Sequence, residues 1–160
     1  MQLTGQQIIN RGIVKNFCEE SIQQQGVDVR VDQIYKVNGG GIVPAIGKTV
    51  RAANSKLTWQ DNKLTLMPGF YELTLVESCE IPNNISLHYK TRSSLVRCGA
   101  IIHSGQFDAG FKTDAMGCFL EVICPLTIEH GARVAQAICF ESDVVTDLYN
   151  GQWQGDKQRQ

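Results

Sequence analysis

Residues 89–121 read YKTRSSLVRCGAIIHSGQFDAGFKTDAMGCFLE and hold most of the polar groups from which this chain could build a binding site. Two arginines and two serines open the stretch, Arg92, Ser93, Ser94 and Arg97. Guanidinium forks and hydroxyls of this kind bind phosphate oxygens well. The start of the stretch therefore predicts an anion-binding site.

The second half of the stretch adds a carboxylate, an aromatic ring and an acid in an apolar strand. After the segment 103–105 (HSG) come Asp108 and Phe111, which suit a sugar and a base. The stretch then ends in 118–122 (CFLEV), where Glu121 interrupts an apolar run that is typical of a strand. An acid among apolar neighbours is a candidate general base, and the alternative is a strand glutamate that points to solvent.

Length and composition favour one soluble domain with a small ligand. At 160 residues and 42% hydrophobic content the chain can bury one core, and no apolar run is long enough for a transmembrane helix. The net charge is −1 with acids and bases spread evenly, which argues against a nucleic-acid or membrane partner. The six cysteines are widely spaced without a C-x-x-C pair, and the N-terminus lacks a signal peptide's apolar core. We therefore predict reduced thiols and a cytoplasmic location.

Recurring short strands predict a mainly β fold. Val27, Val29 and Val31 alternate with Asp28 and Arg30, and we favour an ion-paired polar face over a functional one. The predicted strands are 21–31, 63–67, 70–76, 118–122 and 133–140, with a turn at 68–69. Together they predict a mainly antiparallel sandwich or closed barrel with little helix.

Three other segments carry local signals. Thr4 is placed to cap a short helix. The glycine triplet at 39–41 lacks the G-K-[ST] of a phosphate-binding loop and predicts an ordinary loop. The polar C-terminal segment 149–160 contains Tyr149 and Trp153, and we favour a flap that closes over a site rather than a frayed terminus.

Several segments in the same order resemble the dCTP deaminase and dUTPase superfamily. They are 21–31 (SIQQQGVDVRV), 92–97 (RSSLVR), 105–111 (GQFDAGF), 119–122 (FLEV), 131–136 (GARVAQ) and 149–155 (YNGQWQG). Each motif is weak alone, but their shared order over nearly the whole chain is a strong signal. The resemblance implies a distorted β jelly roll of residues 1–148 and a tail of residues 149–160 that folds over the active site. It also implies a homotrimer with active sites between subunits, and a deoxynucleoside triphosphate that carries Mg²⁺ without a protein ligand.

The resemblance implies a role for individual residues. Glu121 matches the catalytic glutamate of the deaminases, Arg97 the arginine placed beside it, and Ser93 the serine near the base. Asp108 matches the aspartate that contacts the deoxyribose 3′-hydroxyl and orients the water that attacks the α-phosphorus. The implied catalytic set is thus Glu121, Asp108, Arg97 and Ser93. The implied nucleotide-binding set is Arg92, Ser93, Ser94, Arg97, His103, Gly105, Gln106, Asp108, Phe111, Gln136, Tyr149, Trp153 and Gln154.

Three functions are compatible with these matches. Zinc deaminases use H-x-E and P-C-x-x-C patterns that this chain lacks, so deamination would depend on Glu121 as the base. The glycine in 105–108 (GQFD) resembles dUTPases and bifunctional enzymes, whereas one-step deaminases tend to carry HRID. We therefore favour a bifunctional enzyme that converts dCTP to dUMP, ammonia and pyrophosphate, with dCTP and dUTP as substrates and dTTP as a further candidate ligand. A monofunctional dUTPase and a nucleotide-binding regulator without turnover are the alternatives.

The tail departs from the superfamily at one charged position. Gln152 stands where a lysine is usual, which removes a charged phosphate contact that Lys157 or Arg159 could replace. Trp153 replaces a tyrosine and keeps an aromatic cover.

Overall fold

The computed structural model describes residues 1–156, and short antiparallel strands are its main element. The strands are β1 (Val14–Lys15), β2 (Ile22–Gln23), β3 (Gly26–Val37), β4 (Asn54–Lys56), β5 (Lys63–Leu66), β6 (Gly69–Leu75), β7 (Ser78–Glu80), β8 (Ile85–Thr91), β9 (Ala100–His103), β10 (Lys112–Thr113), β11 (Gly117–Val122), β12 (Leu126–Glu129) and β13 (Arg133–Glu141). The helices are α1 (Gly5–Asn10) and α2 (Ser93–Arg97), with 3-10 turns at Glu19–Ser21 and Gln154–Asp156.

The central sheet curls into a nearly closed barrel. Its strands follow the order β8-β13-β3-β6-β11-β9, and every pair is antiparallel. The two ends approach each other where the Ile102 amide on β9 donates to Thr91 Oγ1 on β8 at 3.0 Å. This architecture confirms the predicted mainly β, distorted jelly-roll fold.

Strand β3 shows why the barrel forms where it does. Val27, Val29 and Val31 are fully buried in the core, as their alternation predicts. On the other face Asp28 and Arg30 form ion pairs, as the favoured interpretation predicts. Because β3 is long, it pairs with β13 through its first half and with β6 through its second half.

Helix α1 covers one end of the barrel. It begins as predicted at Thr4, whose Oγ1 accepts from the Gln7 amide at 3.2 Å while Gln7 Oε1 accepts from the Thr4 amide at 2.9 Å. Gly5 allows the close approach to β2 and β3, since a Cβ there would lie 2.3 Å from the carbonyl oxygens of Gln23 and Gly26.

One predicted strand was wrong in detail, and two correctly predicted strands have separate partners. The segment 21–31 is not one strand, because the chain turns between β2 and β3 and the two strands pair as a hairpin. The strands β5 and β6 follow each other closely but do not pair. Both edges of β6 are occupied by β3 and β11, so β5 pairs with β12 instead.

The glycine triplet begins an irregular segment, residues 38–53, which we call the arm. A bridge between Ile42 and Val50 and a hydrogen bond from the Asn38 amide to the Ala53 carbonyl join its two sides, and the predicted loop is confirmed. The apolar side chains of Ile42, Val43 and Ile46 are largely exposed in the single chain. No helix within residues 1–156 has the length and apolar character needed to cross a membrane.

Candidate active site

A cavity of about 640 Å³ lies between the arm, the turn that precedes β10, the start of β11 and the C-terminal segment. Its volume is in the range of small-molecule sites. Six of the residues singled out from the sequence line it together: Gly105, Gln106, Asp108, Phe111, Tyr149 and Trp153. The structure therefore brings residues 105–111 and the described part of the tail to one site.

An aromatic row forms one wall of this cavity. Phe107 contacts Tyr89 and Phe111 edge-to-face, at centroid distances of 5.3 and 5.2 Å. Phe111 in turn contacts Tyr149 at 5.6 Å. Phe111 packs against the core and also lines the cavity.

Asp108 lies at the start of a hydrogen-bonded turn and lines the cavity. Its Oδ1 accepts a hydrogen bond from Gln106 Nε2 at 2.6 Å. The turn is fixed because the Gly110 amide donates to the Ile81 carbonyl at 2.9 Å and the Tyr149 amide donates to the Ala109 carbonyl at 2.9 Å. A preorganised carboxylate in this position can orient a water molecule.

The tail joins two walls of the cavity through two glutamine side chains. Gln152 pairs with the arm, since its Nε2 donates to the Thr49 carbonyl at 2.8 Å and its Oε1 accepts from the Thr49 amide at 3.0 Å. Gln154 pairs with the Asp108 turn, where its Nε2 donates to the Gly110 carbonyl at 2.8 Å and its Oε1 accepts from the Lys112 amide at 2.9 Å. Lys157 and Arg159, the candidate replacements for the lysine, lie outside the described residues.

Sequence reasoning missed an acidic and a basic residue, Glu72 and Arg51, that line the cavity. Glu72 on β6 is nearly buried, forms an ion pair with Arg51 of the arm, and accepts from Asn54 Nδ2 at 2.6 Å. The Arg51 guanidinium also lies 5.9 Å above the Trp153 ring. An acid in the apolar strand 69–75 (GFYELTL) is the same signal that selected Glu121, so Glu72 could have been found.

Glu121 lies outside the cavity, on the outer face of β11. Its Oε2 lies 2.8 Å from His103 Nε2 on β9, and the two side chains are 48% and 50% exposed in the single chain. Phe70 and Phe119 stack beside them with ring centroids 5.3 Å apart. The Phe70 ring is also 6.1 Å from the His103 ring. Glu121, His103 and the two rings therefore form one exposed surface, which we call the outer β patch and which adjoins the cavity at Phe119.

Helix α2 carries the serines and the second arginine on its exposed side. Leu95 anchors the helix in the core, whereas Ser93, Ser94 and Arg97 face solvent. None of these three residues lines the cavity of the same chain. The helix ends shortly before β9, and the Ile123 amide that follows β11 donates to the Gly99 carbonyl at 2.8 Å. Helix α2 is thus attached to the strands that carry the outer β patch.

Arg92 and Gln136 both lie beside the buried carboxylate of Asp28. Arg92 Nε lies 3.1 Å from Asp28 Oδ2, and Gln136 faces Asp28 across the β3–β13 pair. Burial raises the pKa of the Asp28 carboxyl, and Arg92, Arg133 and a hydrogen bond from Gln136 oppose that shift.

The described part of the chain offers few ligands for a metal ion. Among residues 1–156, no group of three or more His, Cys, Asp or Glu side chains is arranged to hold one. In the cavity Glu72 is engaged by Arg51 and Asn54, which leaves the Asp108 carboxylate as the acid that could reach a hydrated metal. The residues present therefore fit a hydrated divalent ion whose other ligands would come from water or a bound molecule.

Comparison with known proteins decides the family. The profile of the dCTP deaminase-like family matches residues 2–142. The chain belongs to the dCTP deaminase-like family. Its membership confirms the superfamily resemblance seen in the sequence motifs.

Relatives of this dCTP deaminase-like chain include two archaeal proteins of similar length. The deoxyuridine 5′-triphosphate nucleotidohydrolase of Methanocaldococcus jannaschii is 32% identical over 158 residues, which cover 92% of this chain and 99% of the relative. A probable deoxyuridine 5′-triphosphate nucleotidohydrolase of Halobacterium salinarum is 33% identical over 151 residues, with 90% and 89% covered.

A solved structure supports the fold of this dCTP deaminase-like chain. The 2′-deoxycytidine 5′-triphosphate deaminase of Agrobacterium tumefaciens superposes with a TM-score of 0.64 at 18% identity. The match covers 86% of this chain but spans only 47% of that structure.

Proposed function

We propose that this protein hydrolyses dUTP to dUMP and pyrophosphate. The observation that supports this most directly is Asp108, held by Gln106 at 2.6 Å, in a cavity of about 640 Å³ with an aromatic wall and a docked tail. Two relatives with matched length bear the name of a dUTP nucleotidohydrolase. In the proposed reaction Asp108 orients a water that attacks the α-phosphorus, and pyrophosphate leaves with the bond electrons.

The proposed substrate carries its metal with it. Mg²⁺ on the triphosphate oxygens would spread the charge that develops at phosphorus. The protein's own part is to place the nucleotide against the aromatic row, to hold the water at Asp108, and to exclude bulk water with Trp153.

The charges in the cavity favour a site completed by another subunit. The charged residues that line it are Arg51, Glu72 and Asp108, and Arg51 is already paired with Glu72. A triphosphate needs free cations and hydroxyls, and α2 offers these at Arg97, Ser93 and Ser94 on its exposed side. We therefore propose a homotrimer in which α2 of one subunit reaches the cavity of the next. The exposed rings of the outer β patch support such a contact.

The outer β patch favours a second activity, the deamination of dCTP. Glu121 and His103 form a hydrogen-bonded acid and base 2.8 Å apart. In the proposed step Glu121 removes a proton from a water that attacks C4 of cytosine. The same proton passes to the amino group, which leaves as ammonia, with Arg97 and Ser93 holding the base and the charge. Together the two activities would convert dCTP to dUMP, ammonia and pyrophosphate.

Product analysis tests the proposal and separates its alternatives. With Mg²⁺, wild-type protein should release pyrophosphate from dUTP, and ammonia plus dUMP from dCTP. Glu121→Gln should lose ammonia release and keep dUTP hydrolysis, whereas Asp108→Asn should lose dUMP formation from both nucleotides. Turnover of dUTP alone would leave a monofunctional dUTPase. Tight binding of both nucleotides without any product would overturn catalysis and support a regulator.

Two further proposals concern the binding of dTTP and the location of the protein. Binding of dTTP would compete with dUTP, because both present a deoxyribose and a triphosphate. A deoxynucleotide hydrolase would act on the intracellular nucleotide pool, which agrees with the cytoplasmic location predicted from the sequence.

A further inference from the structure

The buried carboxylate of Asp28 links two arginines on different elements. Arg92 Nε and Arg133 Nη1 both bind its Oδ2, at 3.1 and 3.3 Å. The Asp28 side chain is only 3% exposed, whereas those of Arg92 and Arg133 are 29% and 35% exposed. We propose that Asp28 is a positioning residue that holds Arg92 and Arg133 side by side as an anion-binding pair, and that Arg133 is a further phosphate-binding residue. The assignment of this pair to a nucleotide rests on the proposed function.

Main-chain bonds fix the position of the pair from both sides. Arg92 Nη1 donates to the Arg133 carbonyl at 3.2 Å, and the Arg92 amide donates to the Val134 carbonyl at 3.3 Å. Arg133 Nη1 donates to the Glu20 carbonyl at 2.7 Å. These bonds attach the start of α2 to β13, so the exposed Ser93 and Ser94 follow directly after the pair.

The pair keeps donors available for an anion. Within residues 1–156, the hydrogen bonds of these two guanidinium groups use Arg92 Nη1 and Arg133 Nη1, and Arg92 Nε makes the ion-pair contact with Asp28. Arg92 Nη2 and the Nε and Nη2 atoms of Arg133 have no protein partner in the same part of the chain. Guanidinium forks with unused N–H groups next to two hydroxyls match the geometry of phosphate oxygens.

Asp28 makes this arrangement possible at a cost. Two guanidinium groups that converge on one oxygen repel each other, and the shared carboxylate offsets the repulsion while leaving one net positive charge. Burial raises the pKa of Asp28 despite both arginines, so the ionised carboxylate lowers folding stability near neutral pH. The geometry carries the proposal: one buried carboxylate oxygen holds two partly exposed guanidinium groups at 3.1 and 3.3 Å, which keeps them side by side at the surface.

The proposal makes a prediction opposite to that of simple charge counting. Asp28→Asn makes the site more positive, and nonspecific attraction would then strengthen anion binding. If Asp28 instead fixes the geometry of the pair, Asp28→Asn weakens binding of inorganic tripolyphosphate about 10-fold or more, as expected when charged hydrogen bonds are lost. Arg133→Gln should weaken it by a similar factor, and Arg133→Lys should restore little because an ammonium lacks the fork.

Calorimetric titration of the full chain with tripolyphosphate, and with dUTP, provides the test. Glu77→Gln is the matched control, since Glu77 is a fully buried acid bound to Arg30 Nε of the same strand β3 at 2.7 Å but away from α2. The control should keep wild-type affinity. If Asp28→Asn fails to fold, Arg133→Lys and Arg133→Gln carry the test. Unchanged or tighter tripolyphosphate binding by the folded Asp28 or Arg133 variants would overturn the proposal.

The two proposals fail in different ways. If the wild type hydrolyses dUTP and the variants show unchanged KM and tripolyphosphate affinity, the arginine pair is structural and the proposed function stands. If the wild type binds tripolyphosphate through the pair but turns over neither dUTP nor dCTP, the inference stands and the proposed function fails. A positioning role further predicts that Arg133→Gln raises the KM for dUTP more than it lowers kcat.

Discussion

Single residues determine whether the Asp108 turn can form. Gly110 adopts φ +88°, and a Cβ there would lie 2.7 Å from Leu148 Cβ and 3.1 Å from the Tyr149 amide nitrogen. A side chain would therefore be strained by the backbone and would also push the tail away from the turn. Gly110, two residues after Asp108, thus serves the docking of the tail.

Substitution of this glycine should be costly. Gly110→Ala is expected to lower the free energy of unfolding by about 2–4 kcal/mol, because a left-handed backbone and a steric overlap add. Gly131→Ala is the control, since Gly131 has φ +77° and a Cβ added there would meet nothing within 4 Å. The control should lose about 1 kcal/mol. Equal losses in urea denaturation would show that the contact with the tail is unimportant.

Cysteine reactivity tests the burial pattern at the same scale. Burial raises the pKa of Cys139 to about 12, so its thiol stays protonated at pH 8. Cys98 and Cys124 are exposed, while Cys79, Cys118 and Cys139 are buried. Mass spectrometry after brief labelling with a thiol reagent at pH 8 should find Cys98 and Cys124 modified first. Early modification of Cys139 in the folded protein would contradict this packing.

At the scale of elements, local patterns in the sequence predicted what the barrel then arranged. Alternation identified β3, and Thr4 identified the start of α1, because both depend on neighbours in sequence. The pairing of β5 with β12 could not be predicted, since it depends on β3 and β11 occupying both edges of β6. Likewise the pairing of Gln152 with Thr49 joins residues 103 positions apart. Motif spacing does not reveal such a contact.

Contact of the tail with the cavity predicts that the tail contributes to activity. Removal of residues 149–160 should lower kcat/KM for dUTP by about 10- to 100-fold, because Trp153 no longer covers the cavity and the substrate is less well positioned. Thermal stability should change little, since the barrel core lies elsewhere. Gln152→Ala, which removes only the bond to the arm, should give a smaller loss. Full activity without the tail would exclude the flap.

At the scale of the whole molecule, the site residues are distributed over several places in one chain. In one chain the outer β patch adjoins the Asp108 cavity and shares Phe119 with it, whereas α2 and the Asp28 cluster do not line that cavity. Matched motifs selected residues from all of these places, but the sequence could not show which of them lie together in one chain.

Subunit mixing tests whether neighbouring chains complete each other's sites. Arg97→Ala and Asp108→Asn should each be nearly inactive as homotrimers. Mixed, dissociated and reassembled, they should recover about a quarter of the wild-type sites, because some sites receive an intact α2 from one chain and an intact Asp108 from the next. Native mass spectrometry of the same samples should show trimers. Trimers without any recovered activity would contradict the shared site.

The central claim, that the Asp108 cavity directs water to the α-phosphorus of dUTP, is tested most directly by hydrolysis in ¹⁸O-labelled water. Wild-type protein with Mg²⁺ should place the label in dUMP and leave pyrophosphate unlabelled. Asp108→Asn should still bind dUTP but form labelled dUMP about 100-fold more slowly or less. Label in pyrophosphate, an undiminished rate for Asp108→Asn, or dUTP recovered intact from the wild type would contradict the account.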